Sequence, residues 1–284
     1  MFLVTLKDIL DDAQKKGYAV GAFNTNNMEI VQAIVESAEE EKAPVILQAS
    51  QGALRYAGIE YIVAMVKASL QKVTVPVVLH LDHGTSFAQN MLCIRHGFSS
   101  VMYDGSKLPL EENIAATARV VEVAHAVGVS VEGELGKIGG TEDDVTVDER
   151  EALFTSPEEA ERFVSESGVD ALAVAIGTAH GPYKGEPKLD FERLQKIKQR
   201  VQIPLVLHGA SGVPAESIRR AIELGVCKIN IDTEIRQAFN RAVRKFTAEN
   251  PNVYDPRKIL GPAKEAMKTV IKEKMRLFGC AGKA

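Results

Sequence analysis

Eight short apolar runs, each followed by a longer stretch, several of them with clear helical spacing, constrain this chain more than any other feature. The runs are 18–24 (YAVGAFN), 44–50 (PVILQAS), 75–82 (VPVVLHLD), 99–104 (SSVMYD), 129–135 (VSVEGEL), 171–178 (ALAVAIGT), 204–209 (PLVLHG) and 227–232 (CKINID). Their nearly continuous apolar character marks strands covered by helices on one face and packed inside the sheet on the other. Segments such as NMEIVQAIVESAEEEK, NIAATARVVEVAHAVG, SPEEAERFVSESG and PAESIRRAIELG repeat apolar residues at helical spacing. Several open on a capping residue or proline and stop at glycine, as at Ser156-Pro157 with Gly168 and at Pro214 with Gly225. Strand then helix, eight times, predicts an α/β fold of the (β/α)8 or TIM-barrel type, with a doubly wound open sheet as the alternative. The stretch from Asp255 to Gly279 reads as one extra C-terminal helix beyond the barrel. No linker, repeat or low-complexity tract interrupts the chain, so residues 1–284 read as a single domain.

Composition narrows the class of function. A net charge of -4 and a pI near 5.9 lack the basic surface that a nucleic-acid binder needs. The N-terminal MFLVTLKDILDDAQKKG becomes charged too early for a signal peptide, and no apolar run is long enough to span a membrane. Three scattered cysteines (Cys93, Cys227, Cys280) form no CxxC pattern and no disulfide framework, which points to a reducing, cytoplasmic setting.

The polar residues collect where the apolar runs end. Four of the six histidines directly precede a glycine, and three of those pairs close an apolar run: His83-Gly84, His180-Gly181 and His208-Gly209. In a (β/α)8 barrel the carboxyl ends of the strands form the active face. Read in order, those ends carry Asn24, Ser50, Asp82 with His83, Asp104, Glu134, His180, His208, and Asn230 with Asp232. Three imidazoles on neighbouring strand ends suit a zinc site with one coordination position open for substrate. Three separate buried histidines bonded to backbone are the plainer alternative.

The other histidines take structural roles. His96-Gly97 ends a helix, His125 lies within one, and His80 shares the strand face of Asp82 one layer deeper. Asp82 and His83 are adjacent, so both reach one site only if the strand breaks its regular path there. Asp82 is then either a general acid/base or the group that orients a ligand histidine. After the fifth strand, ELGKIGGTEDD combines three glycines with Glu142, Asp143 and Asp144, a composition that suits a loop closing over substrate. Gly209-Ala210-Ser211-Gly212, followed by Asn230, Asp232 and Thr233, suits the phosphate site that barrels often build after strands seven and eight. Gly181-Pro182-Tyr183-Lys184-Gly185 adds a cation to that place.

Taken together, HLDHG (80–84), ELGxxGGxED (134–143), AHGPYKG (179–185), HGASG (208–212), KINIDTE (228–234) and YDPRK (254–258) resemble the class II, metal-dependent fructose-bisphosphate and tagatose-bisphosphate aldolases. The resemblance covers essentially the whole chain. It implies zinc on His83, His180 and His208, with Glu134 and Asp104 at positions of an alternative or second divalent ion. It also implies Asp82 as acid/base at the C4 hydroxyl and Glu142 as the proton carrier at C3. Gly181, Lys184, Gly209, Ser211, Asn230, Asp232 and Thr233 would hold the dihydroxyacetone-phosphate end, some with a monovalent cation (Na+ or K+). Ser50 and Arg257 would reach the far phosphate, the arginine coming from a neighbouring subunit of a homodimer or homotetramer. Asn24 would stand near the catalytic carboxylate.

The sequence departs from the family pattern at Thr141, where relatives often carry Glu or Gln. Ala179, Ala210-Ser211 and the GCAGKA tail lean towards the tagatose branch, whereas Pro182-Tyr183-Lys184-Gly185 leans towards the fructose branch. The expected reaction is reversible cleavage of a ketose 1,6-bisphosphate, fructose before tagatose. A Schiff-base lysine would be the other electron sink, but Lys228 falls at the beginning of its strand. An amidohydrolase-type barrel would carry HxH on its first strand, where this chain has Phe23-Asn24-Thr25. A non-catalytic phosphosugar-binding protein would need neither three imidazoles nor a carboxylate loop.

Overall fold

The computed structural model describes residues 3–142, 145–147, 154–183 and 185–284, without the side chains of 141, 142 and 145–147. Eight strands close into a parallel barrel: β1 (Val20–Asn24), β2 (Val45–Ser50), β3 (Val77–Gly84), β4 (Ser100–Tyr103), β5 (Ser130–Leu135), β8 (Ala171–Val174), β10 (Leu205–Leu207) and β11 (Val226–Ile231). The ring runs β1-β11-β10-β8-β5-β4-β3-β2, so the first and last barrel strands pair and the open-sheet alternative is set aside. Three further strands, β6 (Gly139–Glu142), β7 (Val145–Val147) and β9 (Ala179–His180), form a small separate sheet in the order β7-β6-β9.

Helices cover the barrel in chain order: α1 (Leu6–Lys16), α2 (Met28–Glu41), α3 (Gln51–Ala57), α4 (Ile59–Ser69), α5 (Phe87–Arg95), α6 (Leu110–Ala126), α7 (Pro157–Ser167), α8 (Phe191–Arg200), α9 (Ala215–Glu223), α10 (Thr233–Glu249) and α11 (Pro256–Leu277). Their ends follow the sequence signals. Ser156 caps α7 by accepting from the amide of Glu159, and Gly168 ends that helix in the left-handed region at φ 75°. His96 caps the end of α5, and His125 lies in the last turn of α6, as expected. The extra C-terminal helix is α11, which packs on α10 and α2.

Two segments of the chain outside the glycine-rich loop differ from the sequence reading. The N-terminal segment forms α1, which has a capping box at Thr5 and lies across the amino-terminal end of the barrel. There the amide of Lys7 donates to Ser130 Oγ at 3.1 Å, and that of Val4 to the carbonyl of Val77 at 3.0 Å. The sixth expected strand, 171–178, leaves the barrel after Val174. Thr155 takes over at that point, because its Oγ accepts from the amide of Ala175 at 2.8 Å and its own amide donates to the carbonyl of Ala175. His180 therefore stands on β9, outside the barrel wall.

The barrel interior also differs from an all-apolar filling. It holds Gln48, His80, Ser100, Glu132 and Lys228, all with no exposed surface. Such groups are costly to bury without partners, and several of these pair with one another. His80 Nδ1 lies 2.8 Å from Ser100 Oγ, and Lys228 Nζ lies 2.9 Å from Glu132 Oε2.

Candidate metal centre and active site

The strand break expected between Asp82 and His83 is a bulge. In the β3–β4 ladder Leu81 pairs with Val101 and Gly84 with Tyr103, so two residues of β3 oppose the single Met102. His83 has φ 49°, one of only two non-glycine residues in the left-handed region among those described. The twist turns both Asp82 and His83 into the barrel mouth. Gly84 is required for it, since a Cβ there would lie 2.6 Å from the carbonyl oxygen of Met102. Gly84→Ala should therefore destabilise the fold by about 1–3 kcal/mol and weaken metal binding at His83. Thermal unfolding and a chelator competition would measure the two effects, and an unchanged Tm would show that β4 yields freely.

Three imidazoles converge. The ring centroids of His83, His180 and His208 lie 5.2, 4.8 and 5.9 Å apart pairwise, and one nitrogen of each falls within 4.8 Å of the others. His83 Nε2 and His208 Nδ1 face each other at 3.0 Å. The opposite nitrogen of each ring is tied to a carboxylate: His83 Nδ1 to Asp104 Oδ2 at 2.8 Å, and His208 Nε2 to Glu132 Oε1 at 2.9 Å. A carboxylate behind an imidazole fixes its orientation and tautomer for a metal on the other side. Burial lowers the pKa of His208, against the pull of Glu132, so the neutral ligand form is favoured.

Glu134 supplies the second mark of a cation site. It is buried, its Oε2 has no hydrogen-bond partner among the described residues, and it faces His83 Nδ1 at 3.7 Å and His208 Nδ1 at 3.8 Å. Burial raises its pKa well above the usual carboxylate range, and the charge of Asp104 adds to this. A buried carboxylate with an unpartnered oxygen, beside three imidazoles, has the donor chemistry of a divalent-cation site. His83, Asp104 and Glu134 form a second convergent group on the other side of the His83 ring. Burial would raise the pKa of Asp104, but the bond to His83 and two from Ser106 hold it well below the usual value.

Asp82 has a different setting. Its Oδ2 accepts from Asn24 Nδ2 at 2.8 Å and Gln48 Nε2 at 3.1 Å, and its Oδ1 from Asn230 Nδ2 at 3.4 Å. Among the described residues it holds no ring nitrogen, so orienting His83 and His208 falls to Asp104 and Glu132.

A cavity of about 440 Å³ opens beside the centre, lined by Asn24, His180, Gly181, Gly209, Ser211, Asn230, Asp232 and Thr233 among others. It includes most of the expected phosphate residues and extends along α10 to Arg236, Gln237, Asn240 and Arg241. Arg236 pairs with Asp232 at 2.7 Å. The β9 segment is tied to the end of β10 by Tyr183, whose hydroxyl accepts from the amide of Ala179 and donates to the carbonyl of Gly209 at 2.7 Å.

The glycine-rich segment is more than a loop, because β6 pairs in parallel with β9, Gly140 beside His180. A Cβ on Gly140 would lie 2.1 Å from the carbonyl oxygen of His180, so only glycine fits. Glu142 ends β6; its side chain and the whole of Lys184 lie outside the described residues.

Ser50 ends β2 and caps α3 by accepting from the amide of Ala53. Arg257 lies at the start of α11 with its side chain 90% exposed, paired to Asp255 at 2.8 Å and away from the cavity of its own chain. Sequence reasoning missed Gln48 and Glu132, and it left Lys228 at the wrong end of its strand. The signal was a two-residue period. Each lies two positions before an expected site residue, on the same face: Gln48 before Ser50, Glu132 before Glu134, Lys228 before Asn230. Lys228 does stand near the start of β11, but its long side chain runs up the interior to meet Asn230 Oδ1 at 2.8 Å.

A closed parallel barrel with convergent imidazoles and carboxylates at its carboxyl-end mouth defines a metal-dependent barrel enzyme. Comparison with known proteins narrows the class. The family model described as fructose-bisphosphate aldolase class-II matches residues 4–283. A fructose-bisphosphate aldolase of Geobacillus stearothermophilus is 53% identical over 287 residues, spanning 100% of this chain and 99% of its own. One of Thermus caldophilus is 51% identical over 305 residues, spanning 99% of this chain and 100% of its own. Among solved structures, the YdjI aldolase from Escherichia coli K12 superposes with a TM-score of 0.88 at 36% identity, covering 100% of both chains. The chain belongs to the class II fructose-bisphosphate aldolase family, and so to the carbon–carbon lyases. Among the described residues, no helix is long and apolar enough to cross a membrane.

Proposed function

We propose that this chain, acting as one domain over 1–284, reversibly cleaves fructose 1,6-bisphosphate to dihydroxyacetone phosphate and glyceraldehyde 3-phosphate. Zn2+ would be held by His83, His180 and His208. The observation that carries the reading is the junction of two differently held groups: the His83 and His208 imidazoles, backed by carboxylates, and Asp82, held by side-chain amides. When bound, the ion supplies positive charge against the negative charge that C3–C4 cleavage leaves on the ketose fragment.

Asp82 removes the proton of the C4 hydroxyl. The O–H electrons form the aldehyde C=O, the C3–C4 pair becomes the C2=C3 double bond, and the C2 carbonyl π pair moves onto its oxygen to give the enediolate. The amides of Asn24 and Gln48 hold Asp82 Oδ2 in place for that transfer. Glu142 then delivers a proton to C3, a role that rests on its match to the family motif. Condensation runs the same steps backwards.

The phosphate next to C1 would lie against Gly181, Lys184, Gly209, Ser211, Asn230, Asp232 and Thr233, with a monovalent cation, at the start of α10. There free backbone N–H groups and the helix dipole favour an anion. Ser50 would meet the far phosphate, with Arg257 reaching it from a neighbouring subunit of a homo-oligomer. Asp104 and Glu134 would hold a second or alternative divalent ion together with His83.

The test is cleavage of fructose 1,6-bisphosphate and of its C4 epimer, tagatose 1,6-bisphosphate, at matched concentrations. The expected result is a higher kcat/KM for the fructose ester. The reverse order would assign the chain to the tagatose branch, and no cleavage of either would overturn the reading.

A further inference from the structure

Below His208, one ammonium links two strands that are far apart in sequence. Glu132 on β5 and Lys228 on β11 are both fully buried. Glu132 Oε1 accepts from His208 Nε2, while its Oε2 meets Lys228 Nζ at 2.9 Å and lies 3.4 Å from His80 Nε2. Lys228 Nζ has a second anchor in Asn230 Oδ1 at 2.8 Å. Stability alone is a poor reason for this arrangement, because replacing a buried ion pair by apolar residues of similar volume is often neutral or stabilising.

The geometry gives another reason. Glu132 has two candidate imidazoles above and beside it, His208 and His80. Without the ammonium, its carboxylate can turn towards His80 and release His208. We propose that Lys228 is a positioning residue for the metal centre: by holding Oε2 of Glu132 it keeps Oε1 as the acceptor of His208 Nε2–H, which presents His208 Nδ1 to the ion. This inference rests on the zinc reading above.

The substitution pattern has a distinctive sign. In Glu132→Gln the side chain has one oxygen for two donors. The Lys228 ammonium claims it, which turns the amide N–H towards His208 and opposes the required tautomer. Removing the lysine as well frees that oxygen to return to His208. The second substitution should therefore repair part of the damage done by the first.

Zinc affinity would be measured by competition with a chromophoric chelator on the intact chain. The visible bands of the Co2+-loaded protein would report ligand geometry, and thermal unfolding of the metal-free protein would report folding. Lys228→Met should lose about 10–100-fold in zinc affinity, as carboxylate partners of ligand histidines commonly do, and should shift the Co2+ bands. Lys228→Met/Glu132→Gln should bind zinc about tenfold more tightly than Glu132→Gln alone.

A folded Lys228→Met protein with wild-type affinity and unchanged Co2+ bands would overturn the proposal, as would a double variant no tighter than Glu132→Gln. If Lys228→Met fails to fold, the comparison of the double variant with Glu132→Gln decides alone. A wild-type chain that takes up no zinc would overturn the zinc reading itself and this inference with it. Unaffected variants of a zinc-binding wild type overturn only the role of Lys228.

Discussion

Stripping the protein with a strong chelator and removing the chelate should lower aldol cleavage by about a thousandfold or more, and added Zn2+ should restore it. The magnitude follows from what the ion is asked to do. Lewis-acid stabilisation of developing charge contributes several kcal/mol, and each 1.36 kcal/mol is a factor of ten in rate. Lys228 is buried and held between Glu132 and Asn230, so it is a poor candidate for a Schiff base with a ketose. Treatment with borohydride in the presence of substrate should accordingly leave activity intact. Full turnover by protein shown to be metal-free would rule out the zinc mechanism. Inactivation by borohydride would point to a covalent imine instead.

Replacing Asp82 by alanine should lower kcat by about 10²–10⁴-fold, the usual range for losing a general acid/base, while the zinc content stays at the wild-type level. The split between the two readouts comes from the contacts of Asp82. Among the described residues, its oxygens accept from the side-chain amides of Asn24, Gln48 and Asn230 and from no ring nitrogen. The ligand histidines depend on other carboxylates, His83 on Asp104 and His208 on Glu132. The substitution leaves buried amide donors unpartnered, at about 1–3 kcal/mol, so the assay belongs well below the unfolding temperature with zinc in excess. A variant that loses its zinc would make Asp82 a structural support for the centre.

How much of this was legible beforehand depends on the range of the physics involved. The eight strands and the extra helix α11 follow from local rules: apolar runs, helical spacing and cap residues at the ends. The identities at the strand ends follow too, since a (β/α)8 barrel presents those positions on one face. The strand leaving the wall at Val174 was not legible, because it depends on Thr155, a residue 20 positions earlier that offers both its hydroxyl and its amide to Ala175. Helix α1 obeys local rules as well, with a capping box at Thr5 and Gly17 in the left-handed region at its end. The polar interior was hidden for another reason. Glu132 and Lys228 look like solvated charges in sequence, and only closure of the barrel turns them towards each other.

The sequence by itself determined the alternation of strands and helices and the residue types at the strand ends, because apolar runs and chain order are local properties that survive without any partner; closure of the barrel came with the pairing of β1 and β11. Tertiary structure decided which nitrogen each histidine offers and which carboxylate is free to act on substrate. It also decided how Asp82 and His83 come to share one site. The physical reason is distance. Those outcomes are set by contacts of about 3 Å between residues many tens of positions apart, and by one bulge opposite Met102 that no local preference announces.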